Sequence, residues 1–289
     1  MARTRLLLAA ALALAACASP PSRSGPILLV DDAGDTTALA GPAARIVSLA
    51  PATTELLFAL GAGDRVVGRT RYCDYPAEAL AVPSVGDGIA PSVEAIVARA
   101  PDLVVAYRSG GNQAAVDGLR ALGIPTIQLA TDLLDDLDRA ALTLGRALGD
   151  SARASALVRA MTDSLAAATV RVPEPPTVFI LSWDQPPITL GAGSFLSQLL
   201  DRAGARNLFA DQPQPSFPVS LEAVASRDPD LILVTDEQEP AWASRPEWQV
   251  VPAAREKRFV RVIGSEFNRP SPRAARAVRE LRRAIERAR

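Results

Sequence analysis

Residues 92–105 read SVEAIVARAPDLVV, and residues 220–233 read SLEAVASRDPDLIL. The two stretches are one unit repeated at a spacing of 128 residues. This spacing is far longer than the period of solenoid and propeller repeats, which runs to roughly 20–50 residues. It indicates a chain of two similar α/β lobes, and two lobes with a cleft between them are suited to holding a ligand.

Each copy predicts a helix followed by a buried strand. Ser92 and Ser220 are suited to cap a helix, because a serine hydroxyl accepts from a free amide of the first turn. A proline nine positions later ends the helix. The apolar runs that begin after Asp102 and Asp230 are typical of parallel strands covered on both faces. We therefore expect a helix leading into a central parallel strand in each lobe.

Predicted strands and helices alternate along the rest of the chain, which indicates α/β lobes with mainly parallel sheets. Helical periodicity from Leu133 to about Thr169 predicts the one candidate for a connector between the lobes. Gly145 and Gly149 weaken the expectation that this helix is unbroken. Outside the repeat, strands are predicted over 45–49, 66–68, 125–129, 178–181 and 259–263, and helices over 53–60, 112–122, 195–202 and 273–289.

The N-terminus predicts export. Arg3 and Arg5 precede an apolar run of eleven residues, 6–16, which is too short to span a bilayer and has the layout of a signal peptide. The run leads into Cys17 through Leu-Ala-Ala, which resembles a bacterial lipobox, whose cysteine is lipidated. The alternative is an ordinary signal peptide that carries a cysteine. We expect a protein on the periplasmic or extracytoplasmic side, anchored in the membrane by lipidated Cys17 and followed by a tether.

Charge and residue usage exclude several classes of function. The formal net charge is −1, so no basic field for nucleic acid is expected. The chain has no histidine, which argues against a zinc or manganese receptor. It also excludes haem ligation by histidine and a Ser–His–Asp hydrolase, whereas haem ligation by tyrosine stays open. Cys73 is the only thiol left if Cys17 is lipidated, so no internal disulfide is expected.

Four stretches, taken in order, resemble one family. They are RIVSLAPATTEL at 45–56, YCDYP at 72–76, PDLV at 101–104 and NRPSPR at 268–273. Together they resemble the substrate-binding proteins of ABC transporters for cobalamin and iron siderophores, and most of all the cobalamin-binding branch. The resemblance runs from Arg45 to the C-terminus. It implies two Rossmann-like α/β lobes with mainly parallel sheets, joined by a single long α-helix, with the ligand in the cleft between them.

The resemblance also implies a domain order and a role. The expected segments are a lipoprotein signal peptide at 1–17, a tether and lead-in at 18–44, an N-terminal lobe at 45–131, a connecting helix at 132–172 and a C-terminal lobe at 173–289. The expected role is to capture a corrinoid, without cofactor, metal or catalysis, and to deliver it to an ABC permease dimer with its ATPase. In the family one glutamate on each lobe docks onto the permease, and Glu94 and Glu222 fall at those positions. The alternative is that both residues reflect only the preference for a negative charge in a first helical turn.

The resemblance places a ligand pocket on both lobes. Arg108 directly follows a predicted strand, where open α/β sheets place their ligands. The predicted pocket positions are Tyr72, Asp87, Tyr107, Arg108, Trp183, Ile188, Phe217 and Arg269. Core packing is the alternative for each aromatic residue, and capping of the last helix is the alternative for Arg269. Trp242 and Trp248 lie outside the matched motifs, and we expect them to pack in the core.

Two departures leave the ligand open. Gly88 stands where the cobalamin branch has a pocket tryptophan, and Ile188 stands where it has another aromatic residue. A pocket with fewer aromatic residues suits a cobinamide, a ferric siderophore or haemin as alternatives to cobalamin. An exported two-lobe enzyme that uses carboxylates as acid and base is the alternative from another class. No pair of carboxylates is singled out for that chemistry by its spacing.

Overall fold

A computed structural model of the chain describes residues 25–235 and 240–289. The predicted signal peptide and Cys17 lie outside the described residues. Across the described ranges, every helix is too short or too polar to cross a membrane.

The first lobe is built around a four-stranded parallel sheet that contains the first copy of the repeat. Its strand order is β4-β3-β5-β6, and every neighbouring pair is parallel. The elements are β1 (Ile27–Val30), β2 (Thr36–Leu39), β3 (Ile46–Ser48), α1 (Pro51–Ala59), β4 (Val66–Arg69), α2 (Val93–Val97), β5 (Leu103–Tyr107), α3 (Gln113–Ala121) and β6 (Thr126–Leu129).

An antiparallel hairpin of β1 and β2 precedes this sheet. It lies in the segment 18–44, for which the sequence predicted a tether and lead-in without strands. Each strand has four residues and only one that is fully buried, Leu29 or Leu39. Such a short pattern gives little alternation to detect. Both leucines belong to the core of the first lobe, so the hairpin is part of that lobe.

Two helices lie between the lobes, where the sequence predicted one connecting helix over 132–172. They are α4 (Leu134–Ala147) and α5 (Ser151–Ala168). The chain turns at Gly149, whose φ of 74° suits glycine, and Asp150 then caps α5 by accepting from the Arg153 amide at 2.9 Å. Helix α5 is the connector, because Ala154 near its start packs in the first-lobe core and Ala168 at its end in the second. The predicted connecting helix is thus confirmed, but its predicted extent is wrong.

The second lobe contains a mixed sheet with the second copy of the repeat. Its elements are β7 (Thr177–Asp184), β8 (Pro187–Leu190), α6 (Phe195–Arg202), β9 (Arg206–Asn207), β10 (Ser216–Pro218), α7 (Leu221–Arg227), β11 (Leu231–Val234), α8 (Pro252–Arg255), β12 (Phe259–Arg261) and α9 (Ala274–Ala288). The strand order is β10-β8-β7-β11-β12, and β9 also pairs with β7. Strands β8 and β10 form an antiparallel edge that the sequence did not predict.

The repeat has the same structure in both lobes, as predicted. The Ser92 hydroxyl accepts from the Ala95 amide at 3.1 Å, and the Ser220 hydroxyl accepts from the Ala223 amide at 3.2 Å. Strands β5 and β11 are central, each with a parallel neighbour on either side. Alternate residues of each strand belong to different hydrophobic clusters. Both faces of each sheet are therefore covered, and the predicted fold class is confirmed.

The repeated aspartate also has one role in both lobes. Asp102 accepts from the Ala44 and Arg45 amides at 2.8 and 2.9 Å, just before β3. Asp230 accepts from the Thr177 amide at 2.7 Å, at the start of β7. Each aspartate thus fixes the start of the strand beside its own central strand.

Trp242 and Trp248 pack against each other in the second lobe, with ring centroids 4.1 Å apart. Both are buried among Phe179, Val251 and their neighbours. The prediction that they serve the core is confirmed.

Candidate functional site: a two-part cleft between the lobes

A cleft between the lobes consists of two adjoining parts. The larger, about 700 Å³, is bordered by charged residues of the first lobe and of α4, and we call it the polar chamber. The smaller, about 440 Å³, is bordered mostly by apolar atoms, and we call it the apolar chamber. Asp132, Phe195 and Asn268 line both chambers. The two chambers are therefore parts of one cleft.

The carboxyl ends of the first-lobe strands supply one wall of this cleft. Leu49 follows β3, Tyr107 ends β5, and Thr131 lies just beyond β6. Ligand sites of open parallel sheets lie at this edge. Arg108, which comes directly after β5, lies at this edge and lines the polar chamber.

Tyr107 is fixed in the apolar chamber by a hydrogen bond from its hydroxyl to the Asp132 carboxylate. Burial, and after it this hydrogen bond, raises the pKa of Tyr107 to about 12. The ring is therefore a neutral phenol at physiological pH. The sequence missed Asp132, although its place just after a strand that was predicted could have identified it.

Gly88 lies where no side chain fits. A Cβ atom at this position would be 2.5 Å from the carbonyl oxygen of Leu49. The Asn112 amide nitrogen donates to the carbonyls of Gly88 at 3.3 Å and Tyr107 at 2.8 Å. The buried Asn112 side chain thus joins the Gly88 loop to the end of β5. The close contact with the Leu49 carbonyl explains why position 88 has a glycine and not the tryptophan of the cobalamin branch.

Asp87 shapes the same loop. Its carboxylate accepts from the Ile89 amide at 2.8 Å and from the Arg71 guanidinium at 2.7 Å. The Ile89 amide chiefly lowers the pKa of Asp87; partial burial opposes this effect and Arg71 adds to it. Ile89 is 66% exposed beside Gly88 and lines the apolar chamber with Tyr72. Asp87 thus lines the apolar chamber and also holds Ile89 in place there.

The charged wall of the polar chamber is partly neutralised within the protein. Arg139 binds Asp32 at 2.6 Å and Asp136 at 2.9 Å. Arg108 is exposed and forms no ion pair with any residue that the structure describes. Arg108 is thus available to an acceptor on a ligand.

Three predicted second-lobe residues lie on the antiparallel edge and line neither chamber: Trp183, Ile188 and Phe217. Trp183 and Ile188 are cross-strand partners, and Trp183 is 60% exposed. Its indole nitrogen donates to the Gln185 carbonyl at 2.8 Å. Phe217 packs edge-on against Phe209, with centroids 5.5 Å apart. Contact of these residues with a ligand stays a prediction.

Arg269 lines the apolar chamber, as predicted, but its guanidinium is bound to the first lobe. It lies 3.1 Å from Glu55 and 2.5 Å from Asp74. Phe195 and Asn268 line both chambers from the second-lobe side and were missed by the sequence. Asn268 belongs to a quoted motif, whereas Phe195 begins an ordinary amphipathic helix and gives no signal of its own.

Glu94 and Glu222 are exposed in the first turns of α2 and α7. The Ser92 hydroxyl donates to the Glu94 carboxylate at 3.1 Å. The residue's own backbone amide, and after it Ser92, lowers the pKa of Glu94. Both carboxylates are accessible on the surface, one on each lobe. Their docking role stays a prediction.

Residues 25–235 and 240–289 contain no group of three or more histidine, cysteine, aspartate or glutamate side chains that could hold a metal ion. Cys73 is buried, and its sulfur lies 3.2 Å from the Thr70 hydroxyl.

Two lobes, a connecting helix and a cleft at the carboxyl ends of the strands define a two-lobe binding protein. A family model described as periplasmic binding protein matches residues 46–265. The chain belongs to this family of binding proteins.

Relatives that are named for the ligand they bind cover most of the chain. The vitamin B12-binding protein of Yersinia pestis (strain Pestoides F) is 32% identical over 273 residues, which are 91% of this chain and 92% of that protein. The solved structure of the periplasmic vitamin B12 binding protein BtuF of Vibrio cholerae is 28% identical with a TM-score of 0.70 and covers 86% of this chain and 98% of its own. The periplasmic heme-binding protein RhuT of Roseiflexus sp. RS-1 is 27% identical with a TM-score of 0.76 and covers 86% and 99%.

Proposed function

We propose that this protein captures a corrinoid of the cobalamin type in the interlobe cleft and delivers it to the permease dimer of an ABC importer, driven by its ATPase. The two-part cleft carries the proposal, because it offers apolar walls next to polar anchors. Likeness to the vitamin B12-binding protein of Yersinia pestis, at 32% identity over 91% of this chain, supports it. The role involves no cofactor and no catalysis.

The shape and polarity of the cleft suit a corrinoid. A corrin is a large and mostly apolar ring with amides along its edge, so its site needs apolar walls and a few placed polar groups. Tyr72 and Ile89 are 53% and 66% exposed in the apolar chamber, which leaves apolar surface for a ring to cover. Arg108, Asp132 and Asn268 lie nearby as partners for amides.

The charge of the cleft favours a ligand without strong negative charge. The arginines that line the two chambers are Arg108, Arg139 and Arg269, and the aspartates are Asp32, Asp87, Asp132 and Asp136. Four carboxylates against three guanidinium groups leave no excess of positive charge. A ferric catecholate or the two propionates of haem would gain little from such a site. Neutral corrin amides do not need that excess.

Haemin or a ferric siderophore is the second candidate. Likeness to the heme-binding protein RhuT, at 27% identity, favours it. A tyrosine that ligates haem iron does so as a phenolate. The pKa of about 12 at Tyr107 opposes that form, which leaves the exposed Tyr72 as the candidate ligand in this alternative.

Calorimetry on the purified protein tests the ligand. Cyanocobalamin, cobinamide, a ferric hydroxamate and haemin are titrated in parallel under one buffer condition. We expect tight 1:1 binding of cyanocobalamin. Binding of haemin or the hydroxamate without any corrinoid binding would replace the proposal by the second candidate.

The proposal includes a lipid anchor at Cys17, on the periplasmic or extracytoplasmic face, and permease docking through Glu94 and Glu222. Rim charges of this kind act mainly on encounter between partners. Glu94→Arg combined with Glu222→Arg is therefore expected to abolish uptake and to leave ligand affinity unchanged. Normal uptake by the double variant would refute the docking role.

A further inference from the structure

Charged residues from both lobes meet beside the apolar chamber. We call the set the interlobe clasp; it consists of Glu55 and Asp74 of the first lobe and Glu266, Arg269 and Arg273 of the second. The Glu55 and Glu266 side chains are 1% and 5% exposed. Charges so far removed from water are stable only when they are paired.

Arg273 is the centre of the clasp. Its Nε and Nη2 donate to the two carboxylate oxygens of Glu55 at 2.8 and 2.7 Å. Its Nη1 donates to Glu266 at 2.5 Å. The guanidinium carbon also lies 3.9 Å from the ring centroid of Tyr75, within range of a cation–π contact. One second-lobe side chain thus holds two first-lobe side chains.

Arg269 holds the loop that carries Tyr72. Its Nε donates to Glu55 at 3.1 Å, and its Nη2 donates to Asp74 at 2.5 Å. Its Nη1 lies 3.5 Å from the Tyr72 carbonyl oxygen. The side chain predicted to face the ligand is therefore committed to the first lobe.

The ion pairs of the clasp keep Glu266 charged at neutral pH. Burial alone would raise the pKa of Glu266, but its backbone amide and the cations Arg276 and Arg273 outweigh burial and lower the pKa. Opposite charges attract far more strongly in a dry site than in water. The clasp therefore favours the lobe arrangement observed here through contacts between side chains of the two lobes.

We propose that Arg269 and Arg273 are positioning residues for ligand binding. By holding the 72–75 loop from across the cleft, they set the Tyr72 side of the apolar chamber and the gap between the lobes before the ligand arrives. The inference rests on the proposed function, because the ligand concerned is the one that this cleft takes. A protein that adopts its binding-competent form only a tenth of the time binds about tenfold more weakly, so a preset cleft gains affinity without contacting the ligand.

Glu55→Gln tests this proposal, because it removes the charge that both arginines share and keeps the shape. Asp74→Asn is the milder variant, since the Asp74 side chain is 52% exposed. Arg282→Gln is the matched control: it removes a charge from α9 whose partner, Glu286, lies 2.9 Å away on the same helix. Two quantities are measured for each variant: amide hydrogen exchange in residues 70–76 without ligand, and Kd for cyanocobalamin.

For Glu55→Gln we expect exchange at 70–76 to rise at least about tenfold and Kd to rise about tenfold, with exchange in β11 unchanged. Asp74→Asn changes both in the same direction and by less, and Arg282→Gln changes neither. If Glu55→Gln does not fold, Asp74→Asn decides the result. Unchanged exchange at 70–76 in a folded variant overturns the proposal. If the wild-type protein binds no corrinoid, the proposed function fails, whereas the exchange measurement still tests the clasp.

Discussion

In the apolar chamber, the first-lobe wall is fixed by backbone contact and buried hydrogen bonds, whereas the second lobe contributes only a few lining residues. On the first lobe, Gly88 lies against Leu49, and Asn112 joins the Gly88 loop to β5. On the second lobe, Phe195, Asn268, Arg269 and Pro270 line this chamber. We therefore expect the first lobe to make most of the ligand contacts in the apolar chamber and the second lobe to cover it.

The strongest test of this comparison is a methyl group added to the first-lobe wall. Gly88→Ala places a Cβ atom 2.5 Å from the Leu49 carbonyl, so the wall must shift. We expect a loss of about 1–3 kcal/mol in the free energy of unfolding and a loss of ligand binding. Thermal or denaturant unfolding and calorimetry measure the two effects.

Gly118→Ala is the control for that substitution. Gly118 lies in α3, and a Cβ atom there meets nothing within 4 Å. Alanine in a helix interior is expected to stabilise the protein by roughly 0.5–1 kcal/mol and to leave binding unchanged. Equal behaviour of the two variants would show that the Gly88 contact is unimportant.

A smaller effect is expected from Tyr107→Phe, which keeps the ring and removes the hydrogen bond to Asp132. Affinity for cyanocobalamin should fall by about 3–10-fold, in line with the loss of roughly one hydrogen bond. The variant should also lose an ionisation near pH 12 from the ultraviolet titration of the three tyrosines.

The sign of the pH effect follows from the raised pKa of Tyr107. The pKa is about 12 in the folded protein, against about 10 in an unfolded chain. The neutral phenol therefore adds stability at pH values below about 10, and this contribution is lost as pH rises through 12. A wild-type titration without a step near pH 12 would contradict the described burial and hydrogen bonding of Tyr107.

The smallest effects on affinity are expected at the second-lobe edge. Phe217→Leu should reduce the free energy of unfolding by about 1 kcal/mol, because it removes the ring contact with Phe209. Trp183→Phe should change the free energy of unfolding by no more than about 0.5 kcal/mol. It should change Kd by no more than about twofold, because the side chain is 60% exposed and lines neither chamber. A tenfold loss of affinity in either variant would reverse the comparison of the two walls.

The sequence predicted those parts of the fold that repeat or that show strong periodicity. The repeat at 92–105 and 220–233 correctly indicated a helix and a central strand in each lobe. The hairpin β1–β2 and the edge strands β8 and β10 were missed, since strands of three or four residues give little alternation. The turn at Gly149 was not predicted as such, because the two glycines only weakened the expectation of one unbroken helix.

Chain position indicates a lining residue of the cleft in some places, whereas tertiary contact leaves no signal in the sequence. The place of Arg108 after a predicted strand indicated the wall that it lines, and Tyr107 was placed by the motif resemblance. The commitment of Arg269 to Glu55 joins residues 214 positions apart, and no local pattern carries that information. The position of Gly88 likewise depends on the path of Leu49, in another strand connection.

The central claim is that the apolar chamber binds a corrinoid chiefly through its first-lobe wall. Hydrogen exchange of the protein with and without saturating cyanocobalamin tests it most directly. We predict protection in residues 86–90, 107–112 and 130–132, and little change in 183–188 and 217–218. Protection confined to the second-lobe edge, or no protection anywhere, would contradict the claim.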